Sequence, residues 1–395
     1  MKTVRVLPHS LQSTKSFVRM QGCVRLLCLL SLFISLNSHA QTDSVGAGTV
    51  VVHSKFGGQI FGFDIDQNGT EGILSEAQDL GNGNVLAAVE TFDQRTGKIL
   101  KVLTQTQDQD DFLTEGIVGN SIGLIEHEHV TGLKVQRSFP DVNPVTAGKF
   151  TGLWTPPIGA THLVEEVSRT QGTPNVAVFA SDLSSNFIPW VFSSNVANNT
   201  FGPIVKITNP SFTFGVIPVI ALDTQTNQAI LAQDFGSPTD VPQIGLVNLA
   251  TGAQSSFQGV GLGFVNGIAV DSADGIVCTS TEIDFSVEFY NLATHSGFAV
   301  LLPGADNQIF SGADVEFDPI HKLFLVAQPV SSTSFAGSSI QVFDINGNFI
   351  ESVNGLSFSN AFNVVAAHIA LHPGARFGFI DGPDSGVTEI QSFTY

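Results

Sequence analysis

The chain has 395 residues, with 16 Lys and Arg against 35 Asp and Glu and a formal net charge of −19 at pH 7. That balance repels nucleic acid and anionic membranes, and suits solubility, cations or a basic partner. Thirty-two Phe against two Tyr and two Trp describe aromatic burial without polar handles, which fits packing between sheets better than an aromatic sugar platform.

Residues 1–40 hold five of the sixteen basic side chains and no acid. Residues 26–36 form an apolar run of signal-peptide length, and Ser38-His39-Ala40 is a small-x-small cleavage site, so residues 1–40 are expected to be a signal peptide cut after Ala40. Met20 is an alternative start. Cys28 follows Arg25-Leu26-Leu27 without the small residue a lipid anchor needs. Residues 41–395 then hold 11 basic and 35 acidic residues, a net charge of −24, and a single cysteine, Cys278, in an apolar strand. The mature chain is expected outside the cytoplasm, secreted or periplasmic, without stable insertion in a membrane.

Residues 49–54, TVVVHS, read as an alternating strand with no hairpin partner of its own. The first full unit, about 55–107, contains QIFGFDID, TEGILSEA, NVLAAVETFD and GKILKVLTQT. A second unit spans about 111–156, and a third, with long Asn-rich hairpins, about 159–209. Units four to six occupy about 214–356. The last begins near 362 and supplies three strands before Tyr395.

The clearest unit is residues 263–297, GFVNGIAVDSADGIVCTSTEIDFSVEFYNLATHSG, with short apolar strands, a Ser-Ala-Asp-Gly turn and an alternating third strand. Its opening turn recurs at Asp223, Asp271, Asp318 and His372, at spacings of 48, 47 and 54 residues. Four short strands per unit at a period near 50 are the signature of β-propeller blades. From Asp64 to His372 the count is seven blades, with six or eight as alternatives. The expected fold is therefore an all-β, seven-bladed propeller in one domain over 41–395, closed by pairing residues 49–54 with the last unit.

Three groups of residues could carry chemistry. Asp64, Asp66 and Asn68 alternate before Gly69, as at the start of a calcium loop, with Glu71 or Glu76 as the remaining carboxylate; the alternative is a hairpin with an Asn-Gly turn. His127 and His129 share one face of a strand and could hold zinc or iron given a third ligand. At the starts of the innermost strands lie Gln59, Glu115, His162, Asn266, Asp314 and His368, a ring able to bind a metal or small polar ligand, or simply to hold channel waters.

The stretches VNGIAVDSADGIV and HIALHPGARFGFIDGPDSGVTEIQSFT resemble blades of the NHL, YVTN and lactonase-like propellers. That resemblance implies the fold and leaves activity open, because such families include hydrolases, lyases and binding scaffolds. The expected function is a monomeric binding module for a protein or small polar ligand. The alternative is a lactone or ester hydrolase with a metal or His/Asp site at the channel mouth.

Overall fold

A computed structural model describes residues 45–395, apart from 66–69, 82–83, 109, 119–120, 129–131, 140–148, 154–161, 169–174, 183–188, 196–199, 209–218, 234–240, 262–264, 282–285, 304–313, 329–335, 358–367, 373–374 and 382–388; from 106 to 167 it describes backbone alone. The expected signal segment and its cleavage site lie outside the described residues.

Twenty-nine strands are present among the described residues. In chain order they are β1 (Gly46–His53), β2 (Gln59–Ile65), β3 (Glu71–Gly81), β4 (Asn84–Asp93), β5 (Ile99–Asp108), β6 (Asp110–Val118), β7 (Ser121–Glu128), β8 (Gly132–Phe139), β9 (Lys149–Leu153) and β10 (His162–Val167). There follow β11 (Asn175–Asp182), β12 (Pro189–Asn195), β13 (Thr200–Phe201), β14 (Val205–Lys206), β15 (Val219–Asp223), β16 (Gln228–Gln233), β17 (Gln243–Asn248), β18 (Gln254–Gln258), β19 (Val265–Asp271) and β20 (Ile276–Thr281). The last are β21 (Ser286–Asn291), β22 (Ser296–Leu301), β23 (Val315–Asp318), β24 (Leu323–Gln328), β25 (Ala336–Asp344), β26 (Phe349–Ser357), β27 (Ile369–His372), β28 (Phe377–Asp381) and β29 (Glu389–Thr394).

These strands make six sheets, not the seven blades expected. Four are antiparallel meanders of consecutive strands: β2 to β5, β15 to β18, β19 to β22, and β23 to β26. The difference lies in the second and third units, which form one nine-stranded sheet. A single parallel residue pair, Gly132 on β8 with His162 on β10, joins them. The last sheet has the order β1-β29-β28-β27, so its fourth strand comes from the N-terminal end. β1 runs antiparallel to β29 with Gly46 opposite Thr394 and His53 opposite Glu389. The pairing expected of residues 49–54 with the last unit is therefore present.

Where side chains are described, inner strands are buried on both faces, and alternation sorts their residues between two neighbouring sheets. On β24, Leu323, Leu325 and Ala327 face β27 and β28, joining Ile369, Leu371 and Ile380. Phe324 and Val326 face the other way, onto Cys278, Val287 and Phe289 of the preceding sheet. The same division places Ile220 and Leu222 against β11 and β12, and Ala221 against β19. A further cluster joins the last sheet to the first through Val52, Ile60, Phe63, Phe92, Phe379 and Ile390. Phenylalanine pairs bridge sheets edge to face, as Phe92 with Phe379 at 5.7 Å and Phe289 with Phe324 at 5.7 Å. Cys278 is fully buried in this packing, and burial pushes its thiol well up.

Seven of the described hairpin turns share one local design. Asp223, Asp271 and Asp318 end first strands, and each accepts a bond from the backbone N–H two residues on. Asp93, Asn248 and Asn291 end third strands and cap two N–H groups each. These are Asx turns, in which the short polar side chain replaces a missing ladder partner. The fifth residue of each turn is left-handed: Asn227, Gly275, Lys322 and Arg376 after first strands, and Gly97, Gly252 and His295 after third strands. The left-handed residue in the turn after Asn291 is thus His295, with Gly297 already inside β22.

Candidate functional site

The first strands of successive sheets touch one another. β10 lies against β15, β15 against β19, β19 against β23, β23 against β27, β27 against β2, and β2 against β6. The six polar residues nominated from sequence sit on this inner set. Gln59 and His162 open β2 and β10, and Asp314 and His368 stand immediately before β23 and β27. Glu115 and Asn266 occupy β-bulges, where the register shifts between Thr114 and Gly116 and between Val265 and Gly267. A bulge re-aims its extra residue, so these two positions are set apart from the ladder. The side chains of Gln59, Glu115 and His162 lie outside the described residues.

Asp314 is bonded to the residue that follows His368. Asp314 Oδ1 accepts the Val315 N–H at 2.8 Å, and Oδ2 accepts the Ile369 N–H of the next sheet at 2.8 Å. His368 is gripped by Asp381, at the end of β28. Its N–H donates to Asp381 Oδ1 at 2.6 Å, its Nδ1 lies 3.0 Å from Oδ2, and its carbonyl accepts the Asp381 N–H at 3.1 Å. Asp381 is 1% exposed. A buried carboxylate at Nδ1 fixes the ring's orientation and makes Nε2 the basic nitrogen. The pair can orient a hydrogen-bonding ligand or accept a proton; it also closes the hairpin between β27 and β28. Asn266 belongs to the same run, since Gly267 packs its backbone directly on Asp314 and Val315. The register repeats part of this arrangement elsewhere, with His162 directly opposite Asp182.

The other nominated groups lie largely outside the described residues. Asp64 Oδ1 accepts the Ile65 N–H at 2.7 Å, while Asp66 and Asn68 lie outside the described residues. Glu76, considered as a calcium carboxylate, is committed elsewhere. Its oxygens accept the Phe56 N–H at 3.1 Å and the Gly58 N–H at 2.7 Å. His127 lies on β7 opposite Asp111 and Leu133, and His129 lies outside the described residues. Among the described residues no group of three or more His, Cys, Asp or Glu is placed to hold a metal ion.

Two features were not anticipated from sequence. Glu288, fully buried, accepts bonds from Ser286 Oγ at 2.7 Å, Thr279 Oγ1 at 2.9 Å and Thr281 Oγ1 at 3.2 Å. Beside it Tyr290 accepts the Val260 N–H, and burial, then the Glu288 charge, push its phenol up. Glu90 is the second. It is fully buried, accepts the Lys55 N–H at 2.9 Å, and burial followed by the neighbouring Glu76 charge pushes its carboxyl up to about 7. Both glutamates sit inside strands apolar on both faces, VEFY and AVETF, and that was the available signal.

No family model matches the chain, and no curated protein matches it. Solved structures do. One described as the mitotic checkpoint complex is 11% identical at a TM-score of 0.55, covering 100% of this chain and 99% of that one. A second, of the RRP9 WD40 repeats, is 11% identical at 0.55, covering 89% and 99%. A third, a functionally unknown protein from Desulfotomaculum acetoxidans DSM 771, is 14% identical at 0.52, covering 85% and 92%. The chain is a β-propeller. At these identities the likeness carries the propeller fold alone, and what the propeller does has to be argued from its own residues.

Proposed function

We propose that this propeller is an exported scaffold that binds a protein partner along an outer strand. Outer strands are sheet edges, and proteins ordinarily blunt them with charge, proline or bulges. β5 carries Lys101 and two register shifts, β26 carries Glu351 and three, and β1 carries one. β18 is polar apart from Phe257. β22 has none of these protections. Its sequence SGFAVL is uncharged, it pairs with β21 through all six residues without a shift, and Phe298 and Leu301 are 47% and 74% exposed. Phe298 reaches Gly347, which precedes the exposed Phe349 and Ile350, so apolar surface continues onto the next sheet. An unprotected apolar edge suits addition of an extended segment from another protein, and the net charge of −24 over residues 41–395 favours a basic one. The open edge of β22 is the observation that carries this reading.

Export rests on residues 1–40, and the mature chain would begin at Gln41. The likeness of VNGIAVDSADGIV to the NHL-type opening and of HIALHPGARFGFIDGPDSGVTEIQSFT to a lactonase-like blade is compatible with a scaffold and leaves activity open. We also infer that the β1–β29 pairing closes the propeller, because the cluster around Val52 and Phe92 joins the last sheet to the first.

The test is a photo-crosslinking residue placed at Leu301 of the exported protein, in its native extracytoplasmic fraction, with Ser255 on β18 as the control position. A protein adduct at 301 and none at 255 is expected. Equal labelling at both, or none at 301, would overturn docking at this edge.

A further inference from the structure

Glu90 stands three residues before Asp93 at the end of β4. The same place on β21 is Glu288, three before Asn291, and on β25 it is Gln341, three before Asp344. Strand register gives each a diagonal neighbour on the second strand of its sheet: Glu76 on β3, Thr281 on β20 and Gln328 on β24. In the later two sheets these neighbours are a donor and an acceptor. Thr281 Oγ1 donates to Glu288 Oε1 at 3.2 Å, and Gln341 Nε2 donates to Gln328 Oε1 at 2.7 Å. In the first sheet both are carboxylates, 1% and 0% exposed, and as ionised groups they only accept.

The backbone draws the two carboxylates to one place. Residues 54–58 lead from β1 to β2, and consecutive amides bond to the two side chains: the Lys55 N–H to Glu90 Oε2 at 2.9 Å and the Phe56 N–H to Glu76 Oε1 at 3.1 Å. The Gly58 N–H adds a bond to Glu76 Oε2 at 2.7 Å. Amide donors favour the ionised form of both groups, and each bonded oxygen keeps a second lone pair. The Lys55 side chain is exposed, with its ammonium over the Phe56 ring at 5.3 Å. Glu90 Oε1 is buried with no hydrogen-bond partner, and so is Ser54 Oγ. Ser54 lies two residues beyond Val52, which packs with Leu74 and Phe92 on the face of the first sheet that carries Glu76 and Glu90.

We propose that Glu76, Glu90 and Ser54 form a buried site for a hard divalent cation, calcium, at the joint between the last and first sheets. Two carboxylates and a hydroxyl are the oxygen donors calcium takes, and its charge balances theirs. Glu90 Oε1 and Ser54 Oγ are the direct ligands, Glu76 shares its second lone pairs, and water or backbone carbonyls complete the shell. The ion supplies what Thr281 and the Gln341 amide supply in the later sheets, a positive partner between two acceptors. It also ties the end of β1 to β3 and β4. The site is distinct from the loop that follows Asp64, at the far end of β2, and it does not depend on the β22 edge.

Calcium chloride added to the purified chain of residues 41–395, stripped beforehand with a chelator, tests the site. The melting temperature should rise by roughly 3–5 °C once calcium exceeds its dissociation constant about a hundredfold. Asp66→Ala, in the loop after Asp64, should keep that response. Ser54→Ala should weaken calcium affinity roughly tenfold in calorimetry, as the loss of one direct ligand. Glu90→Gln should lose the response and still fold, because its amide can donate to Glu76 as Gln341 does to Gln328. A wild-type melt indifferent to calcium overturns the site whatever the variants do, and leaves the two carboxylates to share a proton. A calcium response that survives Glu90→Gln overturns it equally.

Discussion

The turn residues carry more of the fold than any residue nominated for chemistry. Gly97 and Gly252 occupy the same left-handed place after Asp93 and Asn248, with φ of 69° and 72°. A side chain in that conformation costs about 1 kcal/mol. Their surroundings differ. A Cβ on Gly252 would meet nothing nearer than Val205 Cγ1 at 3.8 Å, whereas one on Gly97 would collide with the Val51 carbonyl of β1. Gly252→Ala should therefore cost about 1 kcal/mol and Gly97→Ala about 2–3 kcal/mol, because β1 must also shift. Urea denaturation of the two variants checks the difference; equal losses would mean that the third-strand turn does not bear on β1. Lys322 occupies the equivalent left-handed place after a first strand, and its ammonium reaches Asp271 at 2.8 Å and Asp274 at 3.1 Å across the sheet boundary. The repeat of Asp223, Asp271, Asp318 and His372 was legible because these turns are local. The partner of His368 was not, since Asp381 meets it across a hairpin and no local spacing marks the pair.

Among elements, β1 has the most distant partner. Val52 is fully buried between the last and first sheets, and the Val50 N–H donates to Ser392 Oγ at 3.1 Å. A chain shortened to begin at Gly46 should melt like one that begins at Gln41. A chain beginning at Ser54 loses a buried valine and a strand's worth of ladder, and should lose about 3–5 kcal/mol in one cooperative step. Thermal melts followed by circular dichroism decide this; matching melts for both truncations would remove β1 from the stable fold. That strand was readable in TVVVHS because three valines without a local partner require a distant one. The joint between β8 and β10 was not readable. A single parallel pair thirty residues apart in sequence leaves no periodicity, and units drawn as two in the chain become one sheet in space.

For the whole molecule, the first and last strands of the described residues are neighbours, with Gly46 opposite Thr394. A permuted protein that joins Tyr395 to Val45 through a short linker, and opens between the exposed Gln225 and Thr226, turns β29 and β1 into a local hairpin. It should keep its stability within about 1 kcal/mol and refold faster, because the longest loop closure has been removed. Stopped-flow refolding beside an equilibrium melt measures both; unchanged refolding would mean that the pairing of the two ends is not the slow event. In the native order the same pairing sets a timetable for synthesis. Val50 and Ser392 are 342 residues apart, so at ribosomal speed β1 emerges roughly 20–70 s before the strand it needs. Through that interval an apolar valine strand and the waiting face of the first sheet are bare. A cell that makes this chain must shelter its beginning until its end arrives, and a nascent chain stalled short of β29 is left with a sticky N-terminus that nothing within its own sequence can cover.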